Sequence, residues 1–137
     1  MHKAAKTVLT KVSDEKTLIE RYYSNGQLKY KAYLNEMPKE LRDEANGTNI
    51  TPKDYSTRNG WKDGKVTWWC ENGQPNEELH YKRGKRHGKW TAWFENGQIK
   101  WEKNYKNGKA DGKWIWWRKN GQTEIEKNYK NGKLKGD

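Results

Sequence analysis

Aromatic and polar residues alternate along the stretch from Gly88 to Gly112, which reads GKWTAWFENGQIKWEKNYKNGKADG. The alternation stops at Asn96-Gly97 and resumes after this pair. Asn-Gly between two aromatic-rich runs is a strong signal for a β-hairpin with a type I′ turn. Such a turn sets a register in which one face is mostly apolar and the other is mixed. The predicted cross-strand pairs are Phe94 with Ile99, Trp93 with Lys100, Ala92 with Trp101, Thr91 with Glu102 and Trp90 with Lys103.

The hairpin unit is repeated with a period of 24 residues, because the stretches that follow Gly64 and Gly112 read like the one between them. A more divergent copy lies near the N-terminus. A fixed period with fixed turn glycines is typical of proteins in which each repeat stacks on its neighbours. We therefore predict an all-β fold, an elongated antiparallel sheet of tandem hairpins. Its tight turns are predicted at Asn25-Gly26, Asn72-Gly73, Asn96-Gly97 and Asn120-Gly121.

Differences between the copies divide the chain into four predicted segments. Pro38 and Asn46-Gly47 enclose a charged run, a pattern typical of a short helix, so the segment around it is a short helical or irregular insertion. The first residues are compatible with a short helix or an added edge strand. The segments are an N-terminal extension (1–16), a degenerate capping hairpin (17–35), the insertion (36–58) and the tandem repeats (59–137).

The composition is poor in aliphatic residues but rich in Trp and Tyr. Hydrophobic residues make up 31% of the chain, with Trp 9, Tyr 8 and a single Phe. Aromatic side chains bury a large area and tolerate partial exposure, which suits a thinly packed sheet. The formal net charge of +11 has two interpretations. Lysines at turns and edges keep exposed strands from pairing with other chains, or they attract an acidic protein, nucleic acid or an anionic membrane.

Catalytic chemistry would need convergent acids, bases, nucleophiles or metal ligands. His80 and His87 have no second cysteine or carboxylate at metal-ligand spacing, and the serines lack a nucleophile-elbow context. Cys70 is the single cysteine and occupies the repeat position of Phe94, so we predict that it is a small buried hydrophobic side chain. We expect no enzymatic activity, no cofactor, no metal ion and no small-molecule substrate.

Aromatic residues at the ends of the outgoing strands are the candidate binding residues. In the predicted register they point away from the apolar face and form a row along the sheet, among lysines. One interpretation is that each packs on the glycine and lysine stem of the adjacent repeat and forms a second, minor core. The other is a ligand face that stacks bases or sugars, or grips an acidic protein. The candidates are Tyr22, Trp69, Trp93 and Trp117, together with Lys100.

Three features recur in each full repeat: a glycine before Trp or Val, an aromatic residue before the Asn-Gly turn, and Tyr-x-x-Gly at the end. They lie at Gly64, Gly88 and Gly112, at Trp69, Trp93 and Trp117, and at Tyr81, Tyr105 and Tyr129. With these features the sequence resembles the MORN (membrane occupation and recognition nexus) family, in its bacterial variant type. The resemblance covers residues 59–137 and, more weakly, 17–34.

The resemblance implies an elongated platform of successive hairpins that carries other molecules. Variant repeats of this kind occur in YwqK-family antitoxins, and other MORN proteins are linked to anionic phospholipids, to dimerisation and to cytoskeletal scaffolding. We therefore expect a non-catalytic repeat scaffold that binds another protein. It would act as an antitoxin or immunity-type partner of a toxin, or in a structural assembly through self-association.

The charge bears on the choice among these partners. Inhibitors that occupy a nucleic-acid groove usually carry acidic surfaces, so a basic chain fits a toxin with an acidic surface better than a nuclease. The alternative function is binding of nucleic acid or an anionic membrane through the basic, aromatic face. The start of the chain, MHKAAKTVLTKVSDEK, lacks the apolar run of a signal peptide, so we expect a cytoplasmic location.

Overall fold

A computed structural model of the protein describes residues 6–13, 16–35 and 62–135. The insertion predicted at 36–58 lies outside the described residues. All described elements are β-strands, as the alternation predicts. The strands are β1 Lys6–Ser13, β2 Lys16–Tyr22, β3 Leu28–Asn35, β4 Gly64–Trp69, β5 Pro75–Lys82, β6 Lys85–Arg86, β7 Gly88–Trp93, β8 Ile99–Lys106, β9 Lys109–Ala110, β10 Gly112–Trp117, β11 Thr123–Lys130 and β12 Lys133–Leu134.

The strands form one open antiparallel sheet in the order β1-β2-β3-β4-β5-β7-β8-β10-β11-β12. Hairpins 1 to 4 are the pairs β2/β3, β4/β5, β7/β8 and β10/β11, and each hairpin lies beside the next one in the sequence. The two-residue strands β6, β9 and β12 fold back onto the end of the preceding long strand. The predicted fold class is therefore confirmed.

The N-terminal residues that are described form an edge strand and not a helix. Strand β1 pairs with β2, and Leu9 faces Ile19 across the ladder. Leu9 and Thr7 are buried on one side of β1, whereas Lys6 and Thr10 are exposed. The β-branched sequence KTVLTKVS suits such a half-buried strand. Of the two alternatives that the sequence leaves open, the structure adopts the strand.

The hairpin tips are not type I′ turns, and in this respect the sequence-based interpretation is wrong. In hairpin 3 the amide of Gly97 donates to the carbonyl of Phe94 at 3.0 Å, and Gly97 has a φ of 88°. No positive φ occurs at Asn96, so the tip is a type I turn followed by a glycine in the left-handed region. The Asn96 Oδ1 accepts the backbone amide of Gln98 at 3.0 Å, and the tips of the other hairpins repeat this bond.

Two-residue turns with positive φ at both positions occur instead in the connections between long and short strands. Asn107 and Gly108 have φ values of 49° and 86°, as a type I′ turn requires. Lys106 pairs directly with Lys109 on the two sides of this turn. Asn-Gly therefore marks a turn at both places, and the pairing of the flanking residues decides which type forms.

A β-bulge behind each tip restores the predicted register. Ala92 faces Trp101, as predicted, but Trp93 faces Ile99 because the larger loop shifts the pairing by one residue. Lys100 is the extra residue that shifts it back. The predicted pairs of Phe94 with Ile99 and of Trp93 with Lys100 are thus wrong, and the pairs farther from the turn are confirmed. Equivalent shifts occur in hairpins 1, 2 and 4.

One face of the sheet carries the core, which is densest in hairpins 1 and 2. The side chains with 0% exposure are Ile19, Tyr30, Ala32, Leu34 and Val66. Trp90 in hairpin 3 is 8% exposed, and Ile125 in hairpin 4 is 43% exposed. Burial on this face therefore falls steadily from the N-terminal to the C-terminal hairpin.

The two turn types predict opposite responses to the same substitution. Asn107→Gly relieves an unfavourable left-handed residue, so the free energy of unfolding should either rise or fall by less than about 0.5 kcal/mol. Asn96→Gly removes the bond to Gln98 and a second bond to the carbonyl of Lys119, which should cost about 1–2 kcal/mol. Urea unfolding followed by circular dichroism measures both. Equal effects would contradict the assigned turn types.

Candidate interaction surfaces

The two faces of the sheet carry different side chains in a regular way. The apolar face contains the core residues and, in hairpins 3 and 4, the rings of Trp90, Tyr105 and Trp114. The opposite face, here called the ion-paired face, carries one Lys–Glu pair in each of hairpins 2, 3 and 4. These pairs are Lys65–Glu78 at 3.5 Å, Lys89–Glu102 at 3.5 Å and Lys113–Glu126 at 3.2 Å.

The four aromatic residues among the predicted binding residues lie on the ion-paired face, each half-buried at the end of an outgoing strand. They occupy equivalent positions and face Leu28, Pro75, Ile99 and Thr123 across the four hairpins. Within hairpin 3, Gly88 faces Tyr105 and lies on the other side of the sheet from Trp93, because residues an odd number apart in a strand point to opposite faces. Their binding role stays a prediction. The residues are Tyr22, Trp69, Trp93 and Trp117.

A ladder of tilted rings crosses three hairpins on the apolar face. Tyr105 contacts the tryptophan of its own repeat and that of the next, whereas Tyr81 contacts that of the next repeat and Tyr129 that of its own. Trp90 and Trp114 are held in place by indole N–H bonds to the carbonyls of His80 at 2.7 Å and Asn104 at 2.8 Å. The ring centroids are 5.2 Å apart for Tyr81–Trp90, 5.0 Å for Trp90–Tyr105, 5.1 Å for Tyr105–Trp114 and 4.9 Å for Trp114–Tyr129.

Cations lie over these rings. The guanidinium of Arg86 is 5.5 Å from the centroid of Trp90 and 5.4 Å from that of Tyr105. Lys103 Nζ is 4.4 Å from Trp101 and 5.2 Å from Trp114. Such contacts retain a cation on an apolar surface by attraction to the ring faces.

The cations of the apolar face differ from the lysines of the opposite face in their electrostatic partners. In the part of the chain that the structure describes, Arg86, Lys103 and Lys127 have no carboxylate within ion-pairing distance. Burial lowers the pKa of Lys103, and the nearby Arg86 lowers it further, whereas Glu77 acts in the opposite direction. Burial also raises the pKa of Tyr105. The apolar face therefore carries cations that form no ion pair among the described residues, although Glu77 on the same face offsets part of their charge.

Side-chain hydrogen bonds connect neighbouring hairpin tips at two of the three junctions between hairpins. The Tyr23 hydroxyl of hairpin 1 donates to the carbonyl of Trp69 at 2.7 Å, and Asn25 Nδ2 donates to the carbonyl of Glu71 at 3.3 Å. Asn96 Nδ2 of hairpin 3 donates to the carbonyl of Lys119 at 3.0 Å. Among the described residues Asn72 forms no such bond between hairpins 2 and 3.

The junction between hairpins 2 and 3, where this bond is missing among the described residues, contains a shallow depression. Cys70 occupies the position of Tyr23 there and cannot reach the next hairpin, so it is half-buried and lines the depression. The prediction that Cys70 is buried is thus wrong. Trp93 and Lys100, two of the predicted binding residues, also line it, whereas Tyr22, Trp69 and Trp117 do not. Lys100 Nζ lies 5.8 Å from the ring centroid of Phe94.

Groups of three or more histidine, cysteine, aspartate or glutamate side chains placed to hold a metal ion are not found within 6–13, 16–35 and 62–135. The same segments contain no helix with the length and apolarity needed to cross a membrane.

Residues 18–36, 62–83, 86–107 and 110–131 match the model of the MORN repeat variant. The chain belongs to this family. Each matched segment contains one of the four hairpins, and MORN repeats are typically non-catalytic. The family resemblance drawn from the sequence is confirmed, but the match gives no support to the resemblance to YwqK-family antitoxins. A comparison with curated proteins finds no match.

The cations of the apolar face were missed by sequence reasoning, which concentrated on the tryptophans of the other face. A usable signal is present: Arg86 lies opposite Tyr81, and Lys103 lies opposite Trp90. Residues directly opposite each other in an antiparallel pair share a face. The pairing of basic with aromatic residues therefore identifies the cation-bearing face.

A substitution at Cys70 can supply the tip hydrogen bond that is missing between hairpins 2 and 3. Cys70→Tyr should let a hydroxyl reach hairpin 3 as Tyr23 reaches hairpin 2, and should raise the free energy of unfolding by about 1 kcal/mol. Cys70→Phe is the matched control, since it adds the ring without the hydroxyl. Chemical unfolding of both variants measures the difference. A Tyr variant no more stable than the Phe variant would show that the junction does not lack this bond.

Proposed function

We propose that the sheet is a non-catalytic scaffold that binds another protein through the C-terminal half of its apolar face. This region, here called the open aromatic surface, is half-buried where hairpins 1 and 2 are fully buried. That contrast is the observation that carries the proposal. The surface comprises Trp101, Lys103, Tyr105, Trp114, Trp116 and Tyr129.

The composition of this surface is that of a protein interface. Aromatic residues are enriched in the centres of such interfaces and provide most of their binding energy. Its rings are already fixed by stacking and by the indole bond of Trp114, so little side-chain freedom is lost when a partner docks. A rigid ring surface on a sheet favours binding of a folded surface or an extended segment.

A toxin-neutralising or immunity role is a specific form of this proposal. It requires a partner whose acidic surface meets the cations among the rings, since complementary charge speeds association and excludes wrong partners. Self-association into a structural array is the other form. Two copies would bring like charges together, because Arg86 and Lys103 form no ion pair with a carboxylate among the described residues.

The second candidate function is binding of nucleic acid or an anionic membrane. The cations without carboxylate partners favour it, and stacking of bases on exposed rings is a known source of affinity for single strands. Its affinity should fall steeply as salt rises, because phosphate contacts release counterions. A protein interface dominated by ring burial depends less on salt.

Variants on the two faces test the proposed function. The immobilised wild-type protein should retain a defined protein from nuclease-treated lysate of the source cells at high salt, and Trp116→Ala should reduce retention about tenfold or more. Trp116 has no side-chain hydrogen bond among the described contacts, so the sheet should remain folded, as circular dichroism can verify.

Trp93→Ala is the matched control on the ion-paired face, and it should retain the same protein. Loss of retention with Trp93→Ala but not with Trp116→Ala would overturn the choice of surface and support the row of predicted binding residues. Recovery of nucleic acid or lipid alone, lost at high salt, would support the second function instead.

A further inference from the structure

One repeat position decides how far the rings of the apolar face are covered. It lies two residues before the first glycine of the outgoing strand and is occupied by Lys62, Arg86 and Ala110 in successive repeats. Lys62 Nζ lies 5.0 Å from the ring centroid of Tyr81, and Arg86 lies over Trp90 and Tyr105. In the first two cases the connection therefore supplies a cation that covers the ring ladder.

Ala110 leaves the next ring pair without this cover. Trp114 and Tyr129 stack at 4.9 Å, much as Trp90 and Tyr105 do at 5.0 Å. Trp90 is 8% exposed, whereas Trp114 is only half-buried. The ring pair thus presents a slot where the previous repeat holds the side chain of Arg86, and this slot is bordered by Lys103 over Trp114.

The charges around this slot determine what can enter it. Lys103 Nζ lies 5.2 Å from the Trp114 ring, and Lys127 faces Trp114 across the hairpin. Neither lysine forms an ion pair among the described residues, although Glu77 is near enough to raise the pKa of Lys103. A cation from a partner would be repelled at such short range, whereas a carboxylate would be attracted.

We infer that the slot over Trp114 and Tyr129 receives an apolar side chain from an acidic segment of a partner protein, with flanking carboxylates on Lys103 and Lys127. This inference rests on the proposed function and names the chemistry of the partner. The ring pair supplies the apolar contact, and the two lysines supply charge-assisted bonds. Phosphate groups alone would satisfy the lysines but would leave the slot empty.

The substitution Ala110→Arg tests the inference, because it gives the slot the residue that the preceding repeat has. The new guanidinium should cover Trp114 and Tyr129 and exclude the apolar side chain. At the same time it adds a positive charge, which should strengthen any binding that is purely electrostatic. The two mechanisms therefore predict opposite changes in affinity.

Thr123→Arg is the matched control, since it adds the same charge at an exposed position on the ion-paired face. The first probe is a fluorescein-labelled peptide of about ten residues with one Phe among Glu and Asp, a length that an extended segment on a sheet can use. The same peptide with Gly in place of Phe measures the contribution of charge. A labelled oligothymidine and vesicles of phosphatidylcholine with phosphatidylserine represent the other anionic sources.

The wild-type protein should bind the Phe peptide about tenfold more tightly than the Gly peptide, and Ala110→Arg should abolish that difference. Thr123→Arg should keep it. The inference is overturned if the Phe peptide does not bind, or if Ala110→Arg strengthens binding of both peptides. It is also overturned if only oligothymidine or vesicles bind.

Failure of this inference can be separated from failure of the proposed function. A protein partner that depends on Trp116 but is unaffected by Ala110→Arg would leave the open aromatic surface in place and remove the acidic-segment chemistry. A partner unaffected by Trp116→Ala would remove both.

Discussion

The packing of Tyr81 and Tyr105 against the tryptophan of the next repeat is the contact on which the C-terminal half of the structure depends. Tyr105 touches Trp90 and Trp114 at nearly equal centroid distances of 5.0 Å and 5.1 Å, so it joins two hairpins into one packed unit. Repeat proteins derive their stability from such contacts between neighbours. Because aliphatic residues are few here, rings provide most of the buried area in hairpins 3 and 4.

The charges divide between the two faces in a way that gives each a separate role. On the ion-paired face, Lys89 lies beside Glu102, and such exposed pairs contribute little stability but leave little net charge. On the other face, Arg86 and Lys103 lie on rings and form no ion pair among the described residues. The face that exposes aromatic area therefore also carries cations without ion-pair partners among the described residues.

Much of the fold could be predicted from the sequence, because period, turn glycines and alternation all depend on local residue types. The predicted pair of Ala92 with Trp101 is present. The pairs next to the tip could not be predicted, since a type I turn with Gly97 in the left-handed region and a bulge at Lys100 shift the register and restore it within a few residues. Asn-Gly is compatible with both kinds of turn.

The candidate site was less predictable for a different reason. The effect of Ala110 arises from the absence of a side chain that the preceding repeat has, and only the geometry of Arg86 over its rings shows what is missing. The tip depression likewise arises because Cys70 lacks the hydroxyl that Tyr23 uses. Such features depend on comparing equivalent positions in three dimensions.

Hydrogen exchange of the indole N–H groups, followed by nuclear magnetic resonance, tests the ring ladder most directly. Trp90 and Trp114 donate to backbone carbonyls within the stack, so their indole protons should exchange slowly. Trp93, on the other face, has no such bond among the described contacts, and its indole proton should exchange fast. Exchange of Trp114 as fast as that of Trp93 would contradict a ladder that extends into hairpin 4.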